Sequence, residues 1–321
     1  MNICIVGKGS IGSRHASIYK KLGCKVYFLR RKRKFLRNKI KNEIYNIKDL
    51  SKKKIDLYCI CNPTSLHLNV LKKFIHLGKN IFIEKPLVSN LKQLIRLKKY
   101  FYKFKINLFN GYMFRFDPRI KDIKKTISKY KNNEIRYANF VWQTYLPSWH
   151  PWEDYRTSYA SKKSLGGGVL LTCSHEIDIA IFLFGEVDKV FCVKTDSSLD
   201  NDVENSVIII LKHKNGIVSN LTIDFSSKHE RKRKFEIILK NKIIKWDFNS
   251  KYYESNTKTK KRINTRKSSN IDKIYLYQNL DILNKIRKGV REKNFGKMSH
   301  TEKVIFTAKK SLIKKKFTRT I

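Results

Sequence analysis

A glycine-rich loop near the start of the chain carries the clearest chemical pattern. It follows the apolar run Asn2 to Val6 and reads Gly7-Lys8-Gly9-Ser10-Ile11-Gly12. In a GxGxxG loop the first glycine allows a tight turn, the second lets the backbone approach a pyrophosphate, and the third lets a helix pack closely on a strand. The amino end of the following helix offers N–H groups and a positive dipole end to phosphate. The loop predicts a dinucleotide site formed by Gly7, Gly9, Ser10, Ile11 and Gly12.

Two arginines, Arg30 and Arg31, stand where the second strand of this unit ends. A site for NAD normally has a carboxylate there, which accepts a hydrogen bond from the ribose 2′-hydroxyl. We expect no carboxylate near this point, and guanidinium groups favour a 2′-phosphate instead. The pattern therefore favours NADP over NAD, with both arginines as phosphate ligands. A chance pair of surface arginines remains the alternative, because lysine and arginine total 71 residues in this chain.

Four further motifs follow along the chain at the ends of strands and at the start of a helix. They are Asn62-Pro63 with His67, Glu84-Lys85-Pro86, Arg115, and the triplet Gly166-Gly167-Gly168 that leads to His175 and Asp178. Together with the opening glycine loop, their order and spacing resemble the Gfo/Idh/MocA oxidoreductase family over nearly the whole chain. The resemblance implies a nicotinamide cofactor whose ribose and nicotinamide side is held by Asn62, Pro63, His67, Glu84 and Lys85. It also implies a cis peptide bond before Pro86.

The resemblance implies Lys85 and His175 as the reacting groups. Lys85 would bind a substrate hydroxyl at the nicotinamide end of the cleft, where an ammonium also stabilises the alkoxide character that develops as hydride leaves. His175 would act as the acid/base, since an imidazole titrates near neutral pH. Many relatives have an aspartate four residues before this histidine, where the chain has Leu171, so Thr172 becomes a candidate for the proton relay. Asp178 would either orient the imidazole or support packing.

Aromatic and polar side chains cluster before the glycine triplet. They are Trp142, Trp149, His150, Trp152, Asp154, Tyr155 and Arg156. Sugars present apolar C–H faces to aromatic rings and hydroxyls to polar groups. We therefore predict that the substrate is bound by Lys85, Arg115, Trp149, Tyr155, Arg156, Thr172 and His175. An oligomer contact or a loop core is the alternative for the aromatic cluster. The run W-H-P-W-E-D-Y-R resembles a branch of the family associated with surface-sugar and acidic-sugar biosynthesis.

The elements that position these residues change in character along the chain. Strands and helices alternate up to Tyr112, which predicts an α/β Rossmann domain with a doubly wound parallel sheet. From Val187 to Phe248 strands follow one another directly, which predicts an α+β domain with a large, mostly antiparallel open sheet. We place the domains at residues 1–118 and 119–321. A helix is expected to open at the glycine triplet, and the polar segment Lys251 to Asn270 is expected to be a mobile excursion.

The composition limits the possible partners. The net charge of +45 is spread along the whole chain, which indicates a solvated basic surface and no specific nucleic-acid site. Six cysteines lie in apolar runs without zinc spacing, which predicts reduced, buried thiols and no metal site. We find neither a signal-peptide pattern nor an apolar run of membrane-spanning length. We therefore expect a cytoplasmic protein with no membrane partner.

These features favour reversible hydride transfer between NADP(H) and a carbinol carbon of a sugar, a sugar acid or a nucleotide sugar. The resemblance also implies a homodimer or homotetramer that assembles through the open sheet. Two alternatives stay open. One is an NAD-dependent glycoside hydrolase of the same fold, which would use transient oxidation. The other is a non-catalytic NADP-binding sensor or scaffold.

Overall fold

The computed structural model describes residues 1–30, 42–78, 80–195, 199–228, 231–250, 253–256, 260–263 and 270–321. These residues form two compact units, and neither unit is continuous in sequence. The first comprises Met1–Gly111 and Tyr275–Met298, and the second comprises Tyr112–Ile274 and Ser299–Ile321. The division differs from the single boundary expected after residue 118, because a segment near the C-terminus returns to the first unit.

The first unit is built on a sheet of six parallel strands. Its strands are β1 (Asn2–Val6), β2 (Lys25–Leu29), β3 (Glu43–Ile44), β4 (Leu57–Ile60), β5 (Asn80–Ile83) and β6 (Asn107–Asn110). They lie in the order β3-β2-β1-β4-β5-β6. The connecting helices are α1 (Ser10–Lys21), α2 (Lys48–Ser51), α3 (His67–Phe74) and α4 (Leu91–Lys103). Central strands such as β1 and β4 are apolar along almost their whole length because helices cover both faces of a parallel sheet. The predicted Rossmann architecture is confirmed.

A returning helix explains the discontinuity of this unit. Helix α8 (Ile271–Arg287) places Ile282 and Leu283 in the buried cluster that contains Ile3 and Ile5 of β1. A short helix α9 (Phe295–Met298) follows, and Phe295 is buried against Phe101 of α4. Burial of several large apolar side chains supplies the free energy that holds this segment in the first unit.

The second unit contains a nine-stranded open sheet. Its strands are β7 (Ile135–Gln143), β8 (Val187–Lys194), β9 (Ser206–His213), β10 (Val218–Asp224), β11 (Lys232–Leu239), β12 (Ile243–Asp247), β13 (Tyr253–Asn256), β14 (Lys260–Ile263) and β15 (Thr318–Arg319). Their order is β14-β13-β12-β11-β7-β10-β9-β8-β15. Only β7 and β10 pair in parallel among these described strands. The prediction of a mostly antiparallel sheet is confirmed.

Helices of the second unit cover one side of this sheet. They are α5 (Pro118–Ile127), α6 (Val169–Thr172), α7 (His175–Phe184) and α10 (His300–Lys314). Alternate strand residues such as Phe140, Leu221 and Ile237 are buried. All six cysteines of the chain are free and buried, as predicted.

Two local expectations are wrong in part. The expected mobile excursion contains a hairpin, because β13 pairs with β12 from Ile243↔Asn256 and β14 pairs with β13. Backbone pairing at a sheet edge needs no apolar side chains. The polar sequence of this segment therefore showed no pattern that predicts strands. Residues 251–252, 257–259 and 264–269 of that segment lie outside the described residues. The helix expected at the glycine triplet is two helices, α6 and α7, which end and begin around Cys173 and Ser174.

No single described helix combines the length and the hydropathy needed to cross a membrane. The segments Lys163–Thr172 and His175–Phe184 reach that threshold only when they are taken together, and they meet at an angle of 45°.

Candidate functional site

The three glycines of the opening loop occupy different environments. Gly7 has a φ of +96°, and a side chain there would meet the Cys61 carbonyl at 2.9 Å. A side chain at Gly12 would lie 2.1 Å from the Gly7 carbonyl, so this glycine allows α1 to pack against the loop. A side chain at Gly9 would meet no described atom within 4 Å, and no side chain caps the helix at this end. The loop therefore has a tight turn, a close packing point and an open approach, as a pyrophosphate site requires.

A groove of about 990 Å³ lies along this loop, within the first unit. Its lining includes Gly7 and Lys8 from the loop, Arg30 after β2, Asn62 after β4, and apolar side chains of α3 such as Val70. Both the Nδ2 and the Oδ1 atoms of Asn62 are buried and have no hydrogen-bond partner among the described residues. Buried polar atoms are normally paired, so an unpaired amide on a groove wall fits a site that receives a polar ligand. These features fit a dinucleotide.

One wall of the groove contains a cluster of charged and polar side chains around Glu43. Lys8 Nζ donates to Glu43 Oε1 at 2.8 Å, and Arg30 Nη1 donates to both carboxylate oxygens at 3.0 and 3.2 Å. The Tyr45 hydroxyl donates to Oε2 at 2.7 Å. Burial alone would raise the pKa of Glu43, but the hydrogen bonds from Lys8, Tyr45 and Arg30 lower this pKa to about 2. Glu43 is therefore ionised at neutral pH.

The expectation that no carboxylate lies near the end of β2 is wrong. Strand β3 pairs in parallel with β2, in the register Phe28↔Glu43, and this pairing brings the Glu43 carboxylate to Arg30. The sequence offered no signal for this contact, because β3 has only two residues and follows a long connection. Arg31 lies outside the described residues.

His67 joins the two loops that follow β4 and β5. Its Nε2 contacts the Asn62 carbonyl at 2.8 Å, and its Nδ1 contacts the carbonyls of Pro86 and Leu87 at 3.1 and 3.2 Å. Burial lowers the pKa of His67, while these carbonyls oppose the shift. Pro63 precedes a short 3₁₀ turn that leads into α3. A neutral imidazole has one N–H, so His67 donates to the carbonyl of one loop while its other ring nitrogen lies against the other loop, which makes this residue a support of the groove's loops.

The backbone at Lys85 is held by a buried network. The Lys85 N–H donates to Glu84 Oε2 at 3.0 Å, and Glu84 Oε1 lies 2.9 Å from His15 Nε2. The other nitrogen of His15 lies 3.1 Å from Asn279 Oδ1 on α8. A side chain at Gly111 would come within 2.7 Å of Glu84, so this glycine leaves room for the carboxylate. The Lys85–Pro86 peptide bond is cis, as the resemblance implies.

Sequence reasoning did not identify His15 and Asn279. His15 shares the buried face of α1 with Gly12, Ala16 and Tyr19, and a histidine on an otherwise apolar helix face was the available signal. Asn279 is fully buried, but its position 264 residues from His15 left no pattern to find.

In the second unit, His175 begins α7 and is buried. Its ring meets the rings of Phe114 and Tyr112 edge to face, with centroid distances of 5.0 and 6.0 Å. Thr172 ends α6 and is also buried. Gly168 has a φ of +95°, and a side chain there would lie 2.5 Å from the Glu204 carboxylate. The glycine therefore lets the chain turn into α6 at a point where no other residue fits.

Arg115 and Asp178 form a bidentate ion pair in this unit. Arg115 Nε and Nη2 donate to the two oxygens of Asp178 at 2.8 and 2.6 Å, and the Thr301 hydroxyl donates to Oδ1 at 2.8 Å. Between the two roles considered for Asp178, these contacts favour support of packing. They also hold the guanidinium of Arg115, which was predicted to bind substrate.

The predicted aromatic substrate loop is split between packing and surface. Trp149 stacks on Trp142 of β7 at 5.8 Å, and its Nε1 donates to Thr144 Oγ1 at 2.6 Å. The Tyr155 hydroxyl accepts the backbone N–H of Asp200 at 3.1 Å. Arg156 is exposed and pairs with Asp154. Trp149 thus packs on the sheet, whereas Arg156 faces solvent.

Among the described residues, no three histidine, cysteine or carboxylate side chains are grouped to hold a metal ion.

Two family models match consecutive parts of this chain. Residues 1–112 match the oxidoreductase family with an NAD-binding Rossmann fold, and residues 120–245 match the GFO/IDH/MocA C-terminal domain. The chain belongs to the Gfo/Idh/MocA oxidoreductase family. The glycine loop, the Glu84-Lys85-Pro86 triplet and the mixed sheet described above are therefore features of a Gfo/Idh/MocA protein.

Named relatives include inositol dehydrogenases. The chain is 29% identical to inositol 2-dehydrogenase of Rhizobium meliloti over 52% of its own length and 50% of the relative. It is 26% identical to myo-inositol 2-dehydrogenase of Thermotoga maritima over 67% of its own length and 66% of the relative. The aligned regions thus span about half to two thirds of these Gfo/Idh/MocA relatives.

The fold also matches a solved structure over its full length. Levoglucosan dehydrogenase in complex with NADH and levoglucosan superposes with a TM-score of 0.85 at 16% identity, covering 100% of this chain and 99% of that one. At this identity the likeness concerns the fold. Within that fold, the structure brings Gly7, Lys8, Arg30 and Asn62 to one groove, and it keeps Arg156 on an exposed loop.

Proposed function

We propose that this protein transfers a hydride between a nicotinamide cofactor and a carbinol carbon of a sugar-type substrate. The observation that carries the proposal is the groove beside the GxGxxG loop, where the Asn62 amide is buried without a partner among the described residues. Relatives of the same family that are named inositol dehydrogenases support a CH–OH substrate.

The residues of the first unit would hold the cofactor. Gly7, Gly9, Ser10, Ile11 and Gly12 would bind the pyrophosphate through backbone N–H groups. Asn62 and Pro63 would contact the ribose and nicotinamide side, and His67 and Glu84 would hold the surrounding loops. The bound nicotinamide supplies the hydride acceptor for oxidation and the hydride donor for reduction.

Proton transfer is assigned to His175 and charge stabilisation to Lys85. Oxidation of a CH–OH carbon removes a hydride from carbon and a proton from oxygen, and an imidazole base accepts that proton. An ammonium beside the oxygen stabilises the negative charge that develops on it. Thr172, three residues before His175, would assist the relay in place of the aspartate that many relatives have. Arg115, Trp149, Tyr155 and Arg156 would contribute to substrate binding.

We propose NADP(H) as the preferred cofactor form. The described residues that line the groove include three cationic side chains, Lys8, Arg30 and Lys73, and hydrogen-bond donors of this kind suit a 2′-phosphate. The similar levoglucosan dehydrogenase is solved with NADH. The affinities of this protein for NADPH and for NADH therefore test the proposed preference.

The proposed setting is a cytoplasmic homodimer or homotetramer with no specific nucleic-acid or membrane partner. Six free, buried cysteines suit a reducing compartment. Partly exposed apolar side chains on the sheet of the second unit, such as Tyr137 and Ile208, suit contact with another copy. Light scattering during size-exclusion chromatography measures the assembly directly.

The decisive experiment incubates the purified protein with NADP⁺ or NAD⁺ and a panel of inositols, sugar acids and nucleotide sugars. We expect one member to reduce the cofactor and to yield a ketone at a single carbon, identified by mass spectrometry. A product formed by hydrolysis without net reduction of the cofactor would contradict the proposal. So would cofactor binding without turnover across the panel.

A further inference from the structure

Glu43 occupies an unusual position for an acidic residue in a dinucleotide site. Its side chain is only 1% exposed, whereas the Lys8 and Arg30 side chains that surround it are 38% and 22% exposed. Lys8, Arg30 and Tyr45 line the groove, and Glu43 lies behind them. The carboxylate therefore acts on a ligand through these neighbours.

The acceptor sites of the Glu43 carboxylate are all occupied, so none is left for a ribose hydroxyl. An ionised carboxylate offers about four lone-pair sites on its two oxygens. Lys8 and Arg30 donate to Oε1, and Arg30 and Tyr45 donate to Oε2, so four contacts are already made. The usual role of an acid near the second strand, which is to accept from the ribose 2′-hydroxyl, is thus closed to Glu43.

What Glu43 changes is the charge of the groove wall. Lys8 and Arg30 together carry two positive charges, and the ionised Glu43 cancels one of them, which leaves this cluster with a net charge of about +1 at neutral pH. A 2′-phosphate is a dianion near neutral pH, and its affinity depends on that net charge. A ribose 2′-hydroxyl is neutral, so the affinity for NADH depends little on the net charge of this cluster.

We propose that Glu43 sets the selectivity between NADPH and NADH by cancelling one of the two positive charges of the Lys8 and Arg30 pair on the groove wall. The inference rests on the proposed function, since it requires that the groove holds the adenosine end of a nicotinamide dinucleotide. Arg30 and Lys8 attract the 2′-phosphate, and Glu43 limits that attraction, which reduces the preference for NADPH over NADH. The carboxylate that is missing at the end of β2 is supplied by Glu43 of β3. It acts through its charge and not through a hydrogen bond to the ribose.

The test measures the affinity for NADPH and for NADH separately, by fluorescence titration of each reduced cofactor. Glu43→Gln adds one positive charge to the cluster and is expected to raise the ratio of NADPH affinity to NADH affinity about tenfold, the effect of one unit charge near a phosphate in a hydrated groove. Lys8→Met removes one charge and is expected to lower the ratio about tenfold. The matched control is Asp281→Asn, which removes a carboxylate from the surface pair with Lys285 on α8, and its ratio should stay at the wild-type value.

The double variant Lys8→Met/Glu43→Gln separates charge from structure. In the double variant the cluster keeps a charge of +1. It also lacks the Lys8 ammonium, a donor that would lose its acceptor in Glu43→Gln. The double variant therefore still tests the inference if Glu43→Gln fails to fold. We expect its ratio to match the wild type within about threefold. A ratio that falls in Glu43→Gln, or that falls further in the double variant than in Lys8→Met, would overturn the inference while leaving the proposed function intact. A wild-type protein that binds neither cofactor would overturn both.

Discussion

At the scale of single residues, the three loop glycines make separable contributions. Gly9 has open space around it and an extended backbone, so Gly9→Ala should fold normally while its methyl group occupies the approach to the pyrophosphate. We expect NADPH affinity to fall at least tenfold with an unchanged midpoint of thermal unfolding. Gly12→Ala is the contrasting variant, because its Cβ would lie 2.1 Å from the Gly7 carbonyl and should lower the unfolding midpoint. Equal unfolding midpoints for the two variants would contradict this assignment.

His175 tests the proton path. Loss of a general base typically lowers kcat by about 10²- to 10⁴-fold, so His175→Ala should lose activity by that order. Cofactor affinity should hardly change, because His175 belongs to the second unit and the groove to the first. Thr172→Val should cause a smaller loss of kcat. Near-full activity of His175→Ala across the pH range would remove the histidine from the mechanism and leave Lys85 as the group to examine.

At the scale of elements, a buried histidine ties a strand to a helix end and makes stability depend on pH. His213 on β9 contacts the Gly185 carbonyl beyond α7 and the Ser219 hydroxyl on β10, each at 2.9 Å. Burial lowers the pKa of His213 to about 4, and the nearby His300 also lowers it, although the Gly185 carbonyl opposes the shift. The folded protein therefore holds the neutral form, whereas the unfolded chain protonates near its ordinary pKa.

The stability that His213 contributes decreases as the pH falls below the ordinary pKa of histidine. A folded pKa below the unfolded one gives stability that is present above the unfolded pKa and is lost as pH falls toward the folded pKa. We expect His213 to lower the free energy of unfolding by about 1 kcal/mol between pH 7 and pH 5.5. His213→Gln should flatten the dependence, measured by denaturant unfolding at each pH, while exposed His76→Gln should not. His67 and His300 also have lowered pKa values, so part of the dependence should persist. If His213→Gln left the slope of unfolding free energy against pH unchanged, His213 would be excluded as a source of the pH dependence.

At the scale of the whole molecule, the net charge of +45 predicts binding to polyanions without sequence preference. Electrostatic binding of this kind releases counterions, so affinity for duplex DNA should fall by about a thousandfold or more between 50 and 200 mM salt. Fluorescence anisotropy with two unrelated duplexes of equal length should give matching curves. A preferred duplex bound with nanomolar affinity at physiological salt would contradict the prediction.

The sequence by itself determined the parts of this protein that depend on local backbone chemistry. Gly7, Gly9 and Gly12 each require a conformation or a free space that a side chain would remove, so their spacing predicted the loop. Alternating and continuous apolar runs similarly predicted both sheets, because burial follows the period of each element. The order of motifs then indicated the family over nearly the full chain.

Only the tertiary structure decided the contacts between polar or charged side chains that are distant in sequence. Glu43 reaches Arg30 because β3 pairs beside β2, Asp178 meets Arg115 across 63 residues, and Asn279 meets His15 across 264. Helix α8 joins the first unit through Ile282 and Leu283, whose apolar spacing would suit any core. Such pairings carry no periodic signal, since an ion pair depends on where two elements meet in space. The charge of the groove wall, and with it the proposed cofactor selectivity, is therefore a property of the fold.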